Sequence, residues 1–179
     1  MRFACAALAV ALLTCADARA FTAHQLCTAV RASEVAKLLG EVPASPISSG
    51  PTADDDHPDA IATSCRYEGK ARVFALMLLE FKSVNGAVSA LKHDIDTVRA
   101  GGDAKITPVQ STGLGEEVYL AIDRSSATYI SRNRQRLLAI GVAGETPPAP
   151  DLPNALLKVA QSAALRLPPP AAKPEPSAN

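Results

Sequence analysis

Two cysteines place the strongest constraint on this chain. The sequence has 179 residues and four cysteines, and Cys5 and Cys15 fall in the opening stretch MRFACAALAVALLTCADARA. That stretch has the form of a secretory leader. Arg2 supplies the positive region, Ala4 to Ala16 is apolar except for Thr14, and Ala18-Arg19-Ala20 is a small-x-small site before Phe21. Its apolar run is shorter than a bilayer span, and no other apolar run is long enough, so no transmembrane segment is expected in the mature chain. With residues 1–20 removed, only Cys27 and Cys65 remain. A lone pair in an oxidising compartment is expected to form one disulfide. The two are 38 positions apart, and closing such a loop stabilises by about 4 kcal/mol on the chain-entropy model. A redox pair or a thiolate metal site is the alternative, but redox pairs usually sit close in sequence, as in C-x-x-C.

A second processing route is written in the same leader. LLTC, Leu12 to Cys15, has the outline of a lipoprotein site, with Thr14 where Gly, Ala or Ser is usual. Free export, periplasmic or secreted, is the first expectation, and a lipid anchor on Cys15 is the second.

Beyond the leader, 159 residues remain, enough for one domain with a real core. Arg2, Arg19 and Asp17 leave with it, so 16 basic side chains face 17 acidic ones. A near-neutral chain without Trp lacks both the basic surface and the stacking platform that nucleic acid requires, so no nucleic-acid partner is expected.

Proline divides the chain. Of 14 prolines, four fall in residues 41–60, four in 144–153 and five in 168–179, with Pro108 apart. The first two clusters read as loops, and residues 168–179 read as a disordered tail, leaving residues 21–167 as a single domain. Thr22 and Gln25 form a T-x-x-Q capping box for a first helix carrying Cys27, with Phe21 stapling onto Leu26. Ser33 can cap a second run, EVAKLLG, ended by Gly40. Strands are expected near Ile61–Tyr67 and Arg72–Phe81, joined by the turn EGKA. The second of these is apolar on both faces, which suits a central strand. A helix follows, with Val84, Ala87, Val88, Leu91, Ile95 and Val98 on one face and Gly101-Gly102 as its stop. AKITPVQ carries Pro108 and suits an edge. EEVYLAI alternates as a strand, and ATYIS with RLLAIGV reads as a hairpin turning near Arg132 to Arg134. A last helix from Leu152 to Leu167 has Leu152, Leu156, Val159, Ala163 and Leu167 as its stripe and Asp151 as a cap. The order is read as α-β-β-α-β-β-β-α. The fold class is α+β, an antiparallel sheet with helices packed mainly on one face.

Several short motifs carry a family likeness. They are the early helical Cys27, the segment EVAKLLG, the second Cys before a hairpin in SCRYEGK, and GLGEEV from Gly113 to Val118. Across residues 22–167 this layout resembles small exported domains of bacterial envelope proteins, including actinobacterial lipoprotein domains of unknown function. The likeness implies a two-layer sandwich similar to that of photosystem-associated and nuclear-transport accessory proteins. It implies no catalytic residues and no cofactor.

Two clusters carry candidate chemistry. ADDDHPDA offers Asp54, Asp55, Asp56 and Asp59 as oxygen ligands for calcium, and His57 with one Asp as two ligands for zinc. The acids are consecutive, with no Gly or closing Glu in EF-hand positions. The plainer reading is a solvated loop inside the disulfide-closed segment. Arg124, Arg132, Arg134 and Arg136 cluster near hairpin ends. They suggest either an anion-binding site, for a phosphate or glycan, or a charged edge that resists aggregation. GLGEEV lacks the third Gly and the following helix of a phosphate loop, so it reads as a glycine turn entering a strand. None of the histidines stands in a G-x-S-x-G or H-E-x-x-H context.

These observations point to a non-catalytic exported domain that binds an envelope ligand or protein partner. The alternative is a metal-binding protein or hydrolase using the acidic loop 54–59. A pocket gathering His57, the acids and a distant ligand favours the alternative, while an exposed loop favours the first reading.

Overall fold

The computed structural model describes residues 22–110, 113–144 and 148–169. The leader, Cys15, Phe21 and the tail beyond residue 169 lie outside the described residues. Among the described residues, no helix is long and apolar enough to cross a membrane.

The chain opens with α1 (Ala23–Thr28) and α2 (Ala32–Leu39). Strands β1 (Ile47–Ala53), β2 (Ala60–Glu68) and β3 (Arg72–Phe81) lead into α3 (Val84–Gly101). Then come β4 (Lys105–Pro108), β5 (Glu117–Ile122), β6 (Ser126–Asn133), β7 (Arg136–Gly144) and α4 (Leu152–Arg166). All seven strands form one antiparallel sheet in the order β1-β2-β3-β7-β6-β5-β4. Two meanders meet along β3 and β7, and α3 connects β3 to the far edge.

The α+β class holds, but the element order differs from the sequence-based one in three places. Two helices open the chain instead of one, the proline-rich stretch before β2 contains a strand, β1, and four strands follow α3 instead of three. β1 tolerates Pro51 because it is an edge strand paired only with β2. Pro51 also falls where the register is interrupted between Ser49 and Thr52, so no ladder bond needs its missing N–H. β4, with Pro108, forms the opposite edge.

The period-2 pattern of β3 divides the interior into two cores. Phe74, Leu76 and Leu78 point to one face, where Cys65, Tyr67, Ile140 and residues of α1, α2 and α4 join them. Leu79 and Phe81 point to the other, where they pack with Leu137 and with Ala87, Ala90, Leu91 and Ile95 of α3. Three helices thus share one face and α3 lies alone on the other. The α3 stripe is rotated from the expected one. Ala90 is buried, whereas Val84 and Val88 are exposed.

The helix-rich face is tied together by specific bonds. Cys27 and Cys65 form the expected disulfide, joining α1 to β2. The Tyr67 hydroxyl donates to the Cys27 carbonyl at 3.2 Å, and the Tyr129 hydroxyl donates to the Pro153 carbonyl at 3.2 Å. The Thr22–Gln25 capping box is present, and Gly40 ends α2 in the left-handed conformation (φ 76°) that glycine adopts freely. Ser33 is not the cap of α2. It lies inside the helix, and Glu34 instead accepts from the Arg31 backbone N–H at 2.9 Å. Asp151 occupies the cap position of α4 without a side-chain bond.

Glu34 also meets Arg166 of α4 in a two-pronged pair, at 2.9 and 3.0 Å. That guanidinium, with help from the Arg31 N–H and the Ser162 hydroxyl, pulls the Glu34 carboxyl from 4.5 down to about 2, against the opposing push of burial. A lowered folded-state value means stability that is present above pH 4.5 and lost as pH falls toward 2. Both side chains are about a quarter exposed, so screening holds the contribution to roughly 1–2 kcal/mol. Glu34→Gln is therefore expected to be less stable than wild type by that amount at pH 7. Urea unfolding at pH 7 and pH 2 should show the gap closing. A gap unchanged at pH 2 would mean the loss comes from packing rather than from this charge.

Candidate functional site

The face carrying α3 is only partly covered. α3 sits over one end of the strands, where Leu79, Phe81 and Leu137 are buried. Further along, the same face runs through Val73, Ala75 and Met77 of β3 and Ala139, Gly141 and Ala143 of β7, none of which is buried. Cross-strand pairs align Met77 with Ala139, Ala75 with Gly141 and Val73 with Ala143. On the other side of β7, Ile130 stands beside Ala139 and Thr128 beside Gly141. The middle strand of the sheet thus carries small residues between larger flanking ones, and the surface sinks into a trough along β7.

Beside α3 the trough deepens into a cavity of about 330 Å³. Met77, Leu79, Ile130 and Leu137 form its floor, and Val98 with Thr97 form the α3 wall. One end is polar, with Asp56, His93 and Asp94. A second, shallower cavity of about 270 Å³ shares Met77, Thr128 and Ala139 with the first and extends it toward Val73 and Ala143.

The polar end is where the acidic loop meets α3. His57 Nε2 lies 3.0 Å from Asp94 Oδ1. An ionised carboxylate can only accept, so Nε2 carries the proton and donates. The His57 ring also stands 5.8 Å from the Phe81 ring and 6.0 Å, edge-on, from the His93 ring. Asp54 Oδ1 accepts the His57 backbone N–H at 2.8 Å, turning the loop so that the imidazole points inward. His57 is therefore a latch that holds the β1–β2 loop against α3. Asp55, Asp56 and Asp59 remain exposed, and Asp56 reaches the cavity rim. Among the described residues, no group of three or more His, Cys, Asp or Glu is placed to hold a metal ion. The hydroxyl groups of the cavity lining are those of Thr97 and Thr128.

The four arginines do not converge. Arg124 sits in the β5–β6 turn, which Asp123 closes by accepting the N–H groups of Ser125 and Ser126 at 2.6 Å. The other three are at the opposite end of β6. Arg132 is buried and pairs with Glu116 at 2.5 Å and Glu117 at 2.7 Å. Arg136 points to the other face of the sheet, where it pairs with Glu80 at 2.6 Å and donates to the Pro168 carbonyl. Arg134, at positive φ (55°), makes the hairpin turn. GLGEEV is a glycine turn entering β5. A side chain at Gly115 would run into the Arg132 carbonyl, which also accepts from the Glu116 N–H at 2.7 Å.

Asp94 and the trough residues were not among the sequence candidates. The cue was present in β3, whose two faces are both apolar although only one of them is packed along its full length.

No protein-family model matches the chain. No curated protein matches it. Among solved structures, the fold is similar to the extracellular domain of PknH from Mycobacterium tuberculosis. The TM-score is 0.51 and the identity 9%, covering 82% of this chain and 98% of that one. At that identity the likeness concerns the fold alone.

Proposed function

We propose that this protein is an exported, non-catalytic binding domain, periplasmic or secreted, whose binding surface is the uncovered trough along β7. The observation that carries the reading is the apolar half-face of the sheet beside α3. Exposed contiguous apolar surface on a soluble domain marks an interaction site more often than not. Recruitment of a strand to the sheet edge is a poorer route, because both edge strands carry proline and β1 is irregular. Export is supported by the leader pattern, by the Cys27–Cys65 disulfide, which suits an oxidising compartment, and by a fold shared with an extracellular domain.

The test uses Nile red, a neutral apolar dye whose emission rises out of water. Saturable binding to the native protein is expected, and Ala139→Arg should abolish it without lowering the unfolding midpoint. Ala139 is half-buried on the trough floor, so the longer side chain can lie along the surface. Dye binding unaltered by Ala139→Arg would place any binding elsewhere and overturn the reading.

A further inference from the structure

The trough has a direction. Its apolar floor leads at one end to Asp56, His93 and Asp94, and the residues lining the cavity include no Lys or Arg. Nearby basic groups of α3 are engaged elsewhere: Lys92 and Arg99 both pair with Asp96. Asp94 gives one oxygen to His57 and keeps its other oxygen for a second partner. It is only about a third exposed, which strengthens any pairing it makes relative to a fully solvated carboxylate. Asp55 and Asp59 are exposed on the adjoining loop but do not line the cavity, so Asp56 and Asp94 are the carboxylates at its mouth. A ligand's positive charge meets complementary potential there, and a negative one meets repulsion. From Leu137 to Ala143 the trough spans six residue steps along β7, roughly 20 Å at the rise of an antiparallel strand, with residues of β3 and β6 on either side.

We propose that the occupant of the trough is a free, single-chain cationic amphiphile, its apolar chain along β7 and its amine head between Asp56 and Asp94. This rests on the trough being the binding surface. His93 and the His57-held loop shape the head end, while Met77 and Ile130 flank the chain.

Three probes with one chain and different heads decide it: dodecylamine, dodecanol and dodecanoate, each below its aggregation threshold, displacing Nile red from the full-length protein at neutral pH. Dodecylamine is expected to bind about tenfold more tightly than dodecanoate, a difference of about 1.4 kcal/mol, with dodecanol between them. Asp56→Asn combined with Asp94→Asn should bring the three together while dye binding persists. Asp56→Asn alone, which leaves the His57 latch intact, should reduce the preference part-way. Equal affinity for the three heads in the wild-type protein would overturn the cationic assignment and leave the trough as a binding surface. A preference unchanged in the double variant would also overturn it. Failure of the dye itself to bind would remove both.

Discussion

Replacing Cys27 and Cys65 together by alanine is expected to lower the unfolding free energy by about 4 kcal/mol. The bridge closes a loop of 38 positions, and the chain-entropy relation for that length gives about 3.9 kcal/mol, chiefly by restricting the unfolded chain. With a urea slope of roughly 2 kcal/mol/M, the midpoint falls by about 2 M. Alanine is the right replacement because both positions are buried. A serine hydroxyl there would add the cost of an unpaired polar group and inflate the result. Reduction of the wild-type protein with a thiol should shift the midpoint similarly. A loss below about 1 kcal/mol would show that the unfolded chain already holds α1 near β2 without the bond. The loop that the disulfide closes contains the whole acidic segment, but that segment is held on the opposite face by the β1–β2 pairing and the His57–Asp94 contact, so the substitution is expected to act on stability.

Some of this was legible in the sequence, and the reasons differ by residue. The Cys27–Cys65 bridge was legible because only two of the four cysteines lie beyond residue 20. The β6–β7 hairpin was legible from its alternation. β1 was not, because Pro51 signals a loop unless the strand is known to lie at an edge, and edge position is a property of the assembled sheet. Ser33 looks like a cap, but Glu34 performs that task while also binding Arg166, 132 positions away. Long-range partners decide the site as well. ADDDHPDA stands out in the sequence as a polar segment, yet the partner of His57 is Asp94, 37 residues later. The arginines look available in sequence because Glu80, 56 positions from Arg136, is silent there as its partner. The trough residues are the least legible of all. An alanine or methionine in an apolar strand reads as core, and only the placement of α3 at one end of the face leaves Met77 and Ala139 uncovered.

The two faces of β3 should therefore respond very differently to truncation. Phe74 is fully buried among α1, α2 and α4, with its ring 6.0 Å from that of Tyr67 in an edge-on contact. Phe74→Ala deletes a large buried side chain and leaves a cavity that the disulfide-anchored layer cannot easily collapse, a loss of about 3–5 kcal/mol. Met77 is three residues along the same strand but faces the trough and is 39% exposed. Its truncation removes surface already partly in contact with water, so Met77→Ala should cost less than about 1 kcal/mol. Dye binding should show the reverse order: weakened by Met77→Ala, and unchanged per folded molecule in Phe74→Ala. Urea unfolding and Nile red titration of both variants check the pair of statements. A Met77→Ala loss as large as that of Phe74→Ala would mean the trough face is covered in solution, with a second copy of the chain as the first candidate. Concentration-dependent unfolding would then identify that copy. If the two faces separate as expected, β3 serves the fold through Phe74, Leu76 and Leu78 on one face and Leu79 and Phe81 under α3 on the other, and leaves Val73, Ala75 and Met77 for the trough. The two demands then fall on different side chains of one strand.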